Sequence, residues 1–344
     1  MKDFFEAISN CNPNFNNLTA TVIKGSGFGE KAILSSGKIF LKSEVDGFLA
    51  AHEKEIAAFN RTGILELESS SVYVEQTGRE KKIVICGAGH VSMPIIKIAK
   101  MTGFHVTVID DRPIFAENGK QAGADIVICD EFEEALKKIS GDLDTYFIIV
   151  TRGHQFDSEC LREILKKPCA YIGMMGSRRR VRIVKDNMIH DGSDPEKVEA
   201  VHSPIGLDIK AETPEEIAVS IMAEVINVKN QRPSTTYPKE ILRDILGTEH
   251  TVPLTGQKIL FTIIEKHGSA PRNTGTKMIY TSEGKSIGTI GGGCTEAEVM
   301  RKAREMFLDN SSESVLMHVN LTADEAAEEG EVCGGVIDVL LERV

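Results

Sequence analysis

The chain has 344 residues and a mass of 37.7 kDa, more than one hydrophobic core ordinarily holds, so two or three domains are expected. Hydrophobic residues make up 41% and charged residues 26%, which excludes a disordered tail, a collagen-like chain and a disulfide miniprotein. A formal charge of −11 denies it the positive field that holds a sequence-independent binder on phosphates, so nucleic acid is not an expected partner.

No run approaches the ~20 apolar residues needed to span a bilayer. The opening MKDFFEAISN has an acid at position 3 and lacks the apolar centre of a signal peptide. Seven cysteines without CxxC pairs argue against a disulfide framework or a zinc knuckle. Cys86, Cys129 and Cys169 lie in apolar runs and are expected to be small buried hydrophobes. The expectation is a cytoplasmic protein with no membrane contact.

Residues 1–78 carry the weakest pattern. LTATVIKGSGFGEKAILSSGKIF is loosely similar to ILFTIIEKHGSAPRNTGTKMIYTSEGKSIG further along, and SVYVEQTG to VIDVLLERV. The segment is expected to be a degenerate copy of the C-terminal domain, structural in role, without its Pro-Arg and triple-glycine stretches.

From 79 to 230, short β-branched runs (82–86, 105–110, 125–129, 146–151, 170–174) alternate with amphipathic segments such as EFEEALKKIS and DSECLREILKK. That alternation predicts an α/β domain with a doubly wound, Rossmann-like parallel sheet. Thr213, Pro214 and Glu216 form a capping box ahead of IAVSIMAEVI. Residues 231–255 read as a linker with one helical piece, ILRDIL. Residues 256–344 read as a small α+β domain: strands KILFTIIEK, TKMIYTS and SIGTIGG, helix TEAEVMRKAREMFL, then strands SVLMHV and VIDVLLERV.

Gly87 and Gly89 follow the first Rossmann strand and open a helix, where glycines let the backbone approach a phosphate and the helical N–H groups hold it. Ser92 occupies the third fingerprint position, and its side chain is expected to loosen helix packing slightly. Asp110 and Asp111 end the second strand, 21 and 22 residues after Gly89, where a ribose diol is usually bound. Two carboxylates repel a 2′-phosphate, partly offset by Arg112. Two outcomes stay open: nucleotide-like binding, or a domain that keeps the turn and has lost its ligand. NAD, a molybdopterin dinucleotide and other ribose phosphates fit equally. His90 in the turn and His154 at the carboxyl edge are candidates, balanced against packing and solvent. Gly176, Ser177 and Arg178 repeat the strand-to-helix arrangement as a second anion site, while Arg179, Arg180 and Arg182 read as a solvated helix face.

In the C-terminal domain Gly291, Gly292 and Gly293 precede Cys294. Thr295 with Glu298 reads as a capping box, placing Cys294 immediately before a helix, where a thiol's pKa falls. Cys333, followed by two glycines, is a second thiol. A soft thiolate suits molybdenum, copper or a persulfide; buried packing is the alternative. Gly268, Ser269, Pro271 and Arg272 form a turn whose guanidinium suits oxyanions. No direct metal-ligand set stands out.

GSAPR (268–272), GTIGGGCTEAEV (288–299) and VCGG (332–335) resemble the XdhC/CoxI domain of molybdoenzyme accessory proteins. GAGHV (87–91), IDDRP (109–113), YIGMMGSRR (171–179) and HSPIGLDIKAETPEEIAVSIMAEV (202–225) resemble the Rossmann-type domain of the same proteins. The resemblance implies a maturation chaperone. It would bind the molybdenum cofactor (molybdopterin or its dinucleotide form) and protect it while a cysteine desulfurase sulfurates it. It would then deliver it to apo xanthine dehydrogenase or a related molybdenum hydroxylase. Molybdenum would be met only through that cofactor, with Cys294 and Cys333 as the thiols. Two departures stand out: Ser92 in place of glycine, and the cysteine-bearing domain placed last. The competing reading is an NAD(P)-dependent oxidoreductase, for which no acid–base pair is evident although His154 could serve. A third is a nucleotide sensor without chemistry. A homodimer is the commonest closed assembly.

Overall fold

In the computed structural model, residues 2–78, 80–231, 235–247, 254–268, 272–309, 313–320 and 335–344 are described. His154, Gln155, Thr235, Thr236 and Cys294 are described by their backbone alone. Ser269, Pro271 and Cys333 lie outside the described residues.

Helix α1 (Lys2–Asn10) leads to strands β1 (Asn17–Lys24), β2 (Lys31–Ser35) and β3 (Lys38–Lys42). Helices α2 (Phe48–Ala51) and α3 (Glu53–Phe59) and strands β4 (Gly63–Leu67) and β5 (Ser70–Gly78) follow. The middle runs β6 (Lys82–Cys86), α4 (Ser92–Met101), β7 (His105–Ile109), α5 (Pro113–Gln121), β8 (Ile126–Ile128), α6 (Phe132–Lys138), β9 (Thr145–Ile149) and α7 (His154–Ile164). It continues through β10 (Tyr171–Met174), α8 (Arg178–His190), α9 (Pro195–Glu199) and α10 (Pro214–Gln231). The rest is β11 (Thr235–Thr236), α11 (Lys239–Leu246), β12 (Lys258–His267), β13 (Lys277–Thr281), β14 (Ser286–Gly288), α12 (Gly293–Leu308), β15 (Ser314–Asn320) and β16 (Val336–Arg343). Two units result: Glu80–Pro233, and the two flanks together, Met1–Arg79 with Ser234–Val344. No helix among the described residues is long and apolar enough to cross a membrane.

The middle unit is a parallel sheet in the order β10-β9-β6-β7-β8. Successive side chains point to opposite faces, and both faces are apolar. Val84, Cys86, Phe147 and Ile149 enter the core beneath α6–α9, while Ile83, Ile85, Tyr146 and Ile148 enter the core beneath α4 and α10. Each such fully buried Ile or Phe stabilises by about 1.5–3 kcal/mol. The order reverses between β6 and β9, so their carboxyl ends open a crevice of the kind that binds ligands. Helix α10 starts on the expected reciprocal cap: Glu216 N–H donates to Thr213 Oγ1 (3.2 Å) and Thr213 N–H to Glu216 Oε2 (3.1 Å).

Three expectations need correction here. Ser92 does not loosen the turn: it is fully buried and its hydroxyl donates to the Gly87 carbonyl at 2.6 Å, tying helix to strand. Cys129 is exposed, because it follows the edge strand β8; Cys86 is buried and Cys169 half-buried. Arg180 is no solvated arginine, since it pairs with the buried carboxylate of Asp157.

The flanking unit contains the same sheet twice. The order β4-β5-β1-β2-β3 in the N-terminal part matches β15-β16-β12-β13-β14 in the C-terminal part, antiparallel throughout. The register agrees residue by residue. Thr21 faces Lys31 as Thr262 faces Lys277, and Thr19 faces Glu75 as Leu260 faces Glu342. Both central strands shift register at one place, after Val22 and after Ile263. Leu18, Ala20 and Val22 point into a core with α2 and α3; Ile259, Phe261 and Ile263 point into a core with α12. The run 286–292 stops being a strand at Gly288, because Gly288, Gly291 and Gly292 all take positive φ (84°, 143° and 78°). Helix α11, from the stretch expected as a linker, buries Ile241 beside α1.

Candidate functional site

The glycine turn after β6 is built by two glycines with unlike constraints. Gly87 has φ +106°, and a Cβ there would lie 2.6 Å from the Val150 carbonyl oxygen, so it lets the loops after β6 and β9 touch. Gly89 has ordinary backbone, and a Cβ there would meet nothing within 4 Å. The space over Gly89 is open; in the first turn of α4 the Ser92 N–H is taken by the Gly89 carbonyl (3.0 Å) and residue 94 is a proline, so the donors that face an anion here are the N–H groups of Gly89, His90, Val91 and Met93. His90 is exposed beside it.

The two acids after β7 separate. Asp110 is fully buried: Oδ2 accepts the Ala88 N–H at 2.8 Å, and Arg112 donates from Nε (2.9 Å) and Nη2 (3.0 Å). It braces the glycine turn and cannot meet a ribose. Arg112 is spent on this brace, its guanidinium 3.5 Å from the Phe115 ring centroid. Asp110 is therefore corrected from a cofactor contact to a support, while Arg112, whose side chain is 30% exposed, is engaged in the same brace. Asp111 is partly exposed and faces Arg152, from the loop after β9, in a bidentate pair of 2.5 and 2.8 Å. That pair joins the loops on either side of the glycine turn, since β6 lies between β7 and β9. The Arg152 hydrogen bond, the largest influence, holds the Asp111 carboxyl below its usual pKa.

Beyond β9, Thr151 donates to Asp157 Oδ1 (2.5 Å), and Asp157 pairs with Arg180 of α8. Ser177 caps α8, accepting from Arg180 N–H at 3.4 Å, with Gly176 before it and Arg178 exposed at the first helical residue. The sheet edge thus brings together Gly87, Gly89, His90, Asp110, Asp111, Arg112, Gly176, Ser177 and Arg178. His154 opens α7 at the same edge. Arg152, Thr151 and Asp157 were missed, because only the strand order puts their loop next to the glycine turn.

A third group lies along β10. Glu224 accepts from Tyr171 OH (2.6 Å) and Gly206 N–H (3.0 Å), and His202 Nδ1 stands 3.2 Å from its other oxygen. Burial raises the Glu224 pKa, but the His202 and Tyr171 hydrogen bonds outweigh it and the net shift is downward.

In the flanking unit Gly291, Gly292 and Gly293 lead into α12, whose cap residue is Gly292. Cys294 is consequently the second helical residue, not the one before the helix, and the expected Thr295–Glu298 box does not exist. Thr295 is buried inside the first turn, and Glu296 does the capping. Its Oε1 accepts the N–H groups of Ile290 and Gly292, both at 3.0 Å, and the Thr289 hydroxyl. Burial raises the Glu296 pKa, but the Thr289 and backbone hydrogen bonds outweigh it and leave the carboxylate ionised. Gly268 and Arg272 are exposed, and Arg272 has no partner among the described residues.

The model of the XdhC Rossmann domain matches residues 83–225, and that of the XdhC and CoxI family matches residues 256–320. The uncharacterized protein YqeB of Escherichia coli K12 is 31% identical over 167 residues, 47% of this chain and 30% of that protein. A probable xanthine dehydrogenase subunit of Bacillus subtilis 168 is 28% identical over 164 residues, 48% of each chain. The chain spans at most about half the length of these relatives. A xanthine dehydrogenase structure from Bacillus halodurans aligns with TM-score 0.48 and 25% identity, over 70% of this chain and 66% of that one.

Proposed function

Since the chain belongs to the XdhC and CoxI family, we propose that it is an accessory protein of xanthine dehydrogenase or a related molybdenum hydroxylase. In this reading it holds the molybdenum cofactor while a cysteine desulfurase supplies the terminal sulfur, then hands it to the apoenzyme. The observation that carries the reading is the open space over Gly89 beside the Asp111–Arg152 pair. The N–H groups of the turn would hold a phosphate, Asp111 a ribose diol of the dinucleotide form, and Arg152 a further phosphate oxygen. Cys294, in the first turn of α12, would offer a soft thiolate to the cofactor's metal or sulfur. The cofactor itself supplies the redox chemistry in the enzyme that receives it.

The same turn suits NAD, and Asp111 would favour it over a 2′-phosphorylated dinucleotide. His202 with Glu224 resembles an acid–base pair for such an oxidoreductase. Glu224 is also shared with Tyr171 and Gly206, however, and β10 stands two strands from β6, so we read it as a brace for the loop after residue 202. The experiment is to purify the protein from cells that make the cofactor, oxidise the extract and measure pterin fluorescence. Stoichiometric pterin is expected; its absence, with turnover of NAD(H), would replace this reading by the oxidoreductase.

A further inference from the structure

We infer that the N-terminal copy serves the C-terminal copy as a built-in dimer partner, and that its Glu75 positions, through Lys277, the end of the Pro-Arg loop. The contacts between the copies are reciprocal. Lys31 Nζ of the first reaches Glu342 of the second at 2.5 Å, and Lys277 Nζ of the second reaches Glu75 of the first at 2.5 Å. Lys31 and Lys277 occupy equivalent register positions, as do Glu75 and Glu342. The apolar contact between them follows the same rule, joining Ile23 and Tyr73 to their equivalents Ile264 and Leu340. Residue i meeting j while j's counterpart meets i's is the signature of a two-fold interface, here closed within one chain.

The symmetry breaks at the loops. Between β1 and β2 run residues 25–30, and between β12 and β13 run the longer 268–276. Lys277 is fully buried and donates not only to Glu75 but to the Gly275 carbonyl at 3.1 Å. Gly275 N–H donates in turn to the Ile263 carbonyl at 2.7 Å, a bond the first copy repeats from Gly29 to Val22 at 2.9 Å, whereas Lys266, which holds Asn273 Oδ1 at 2.6 Å, stands where the first copy has Gly25. Lys31, the counterpart, spends its second bond on Thr21 (3.3 Å) instead of a loop carbonyl. Glu75 therefore holds the ammonium that holds the loop three residues after Arg272. The inference stands whatever Arg272 binds.

The test is trypsin cleavage of the Arg272–Asn273 bond in the full chain, followed by peptide mass. Glu75→Gln strands a buried ammonium and should unfold the unit or expose the bond. The decisive variant is Glu75→Leu with Lys277→Met, which removes both charges at similar volume and should melt within a few degrees of wild type. Cleavage after Arg272 should nonetheless be about tenfold faster, because cleavage follows the population of the open loop. The symmetric Lys31→Met with Glu342→Leu should leave that rate at the wild-type value. An unchanged rate in the first double variant, or equal acceleration in both, would overturn the inference. So would failure of the first to fold while the second folds, since the pair would then hold the sheets and not the loop.

Discussion

A Cβ on Gly87 would strike the Val150 carbonyl, whereas one on Gly89 would point into open space, so two glycines of one turn answer to different demands. Asp110 and Asp111 divide in the same way, the first bracing the turn and the second paired with Arg152. Only Asp111 has a carboxylate that a diol could take over. Asp111→Asn should weaken a ribose-bearing ligand by roughly tenfold, the worth of one charge-assisted hydrogen bond, and leave pyrophosphate binding unchanged; calorimetry with ADP and pyrophosphate distinguishes the two. Equal losses would make Asp111 structural as well. Because its pKa is lower folded than unfolded, the stability the Arg152 pair contributes is full above about pH 4 and is lost as pH falls through the folded value. Neighbouring identical residues cannot be told apart by sequence; burial alone separates them.

At the scale of elements, what was legible followed local chemistry. The parallel strands announced themselves as continuous β-branched runs, and the cap of α10 as Thr-Pro-Glu-Glu. The start of α12 was misread because three glycines free the backbone to enter the helix two residues early, so Glu296 reaches back where Thr295 was expected to cap. This places an ionised carboxylate in the same helical turn as Cys294, and a like charge opposes thiolate formation. Glu296→Gln should therefore raise the alkylation rate of Cys294 at neutral pH several-fold, as read by mass spectrometry, while the buried Cys86 and Cys160 stay unlabelled. A slower rate would mean that loss of the cap, and not of the charge, governs the thiol. The order of the strands was not legible, and with it went Arg152, whose partner lies 41 positions earlier in the chain.

For the molecule as a whole, the duplicated sheet surfaced in the sequence only as a faint likeness between two stretches. The ion pairs that make the copies one unit join residues 31 to 342 and 75 to 277, separations at which no local pattern survives. Family membership describes the two domains, while the proposal that the chain carries a cofactor rests on the turn after β6. The most direct test is calorimetric titration of the molybdenum cofactor into wild type and into Gly89→Val, a substitution the folded chain has room for. One cofactor per wild-type chain is predicted, with affinity at least about tenfold weaker in Gly89→Val at an unchanged melting temperature. Equal affinity in the two proteins, or no binding to either, would contradict the account.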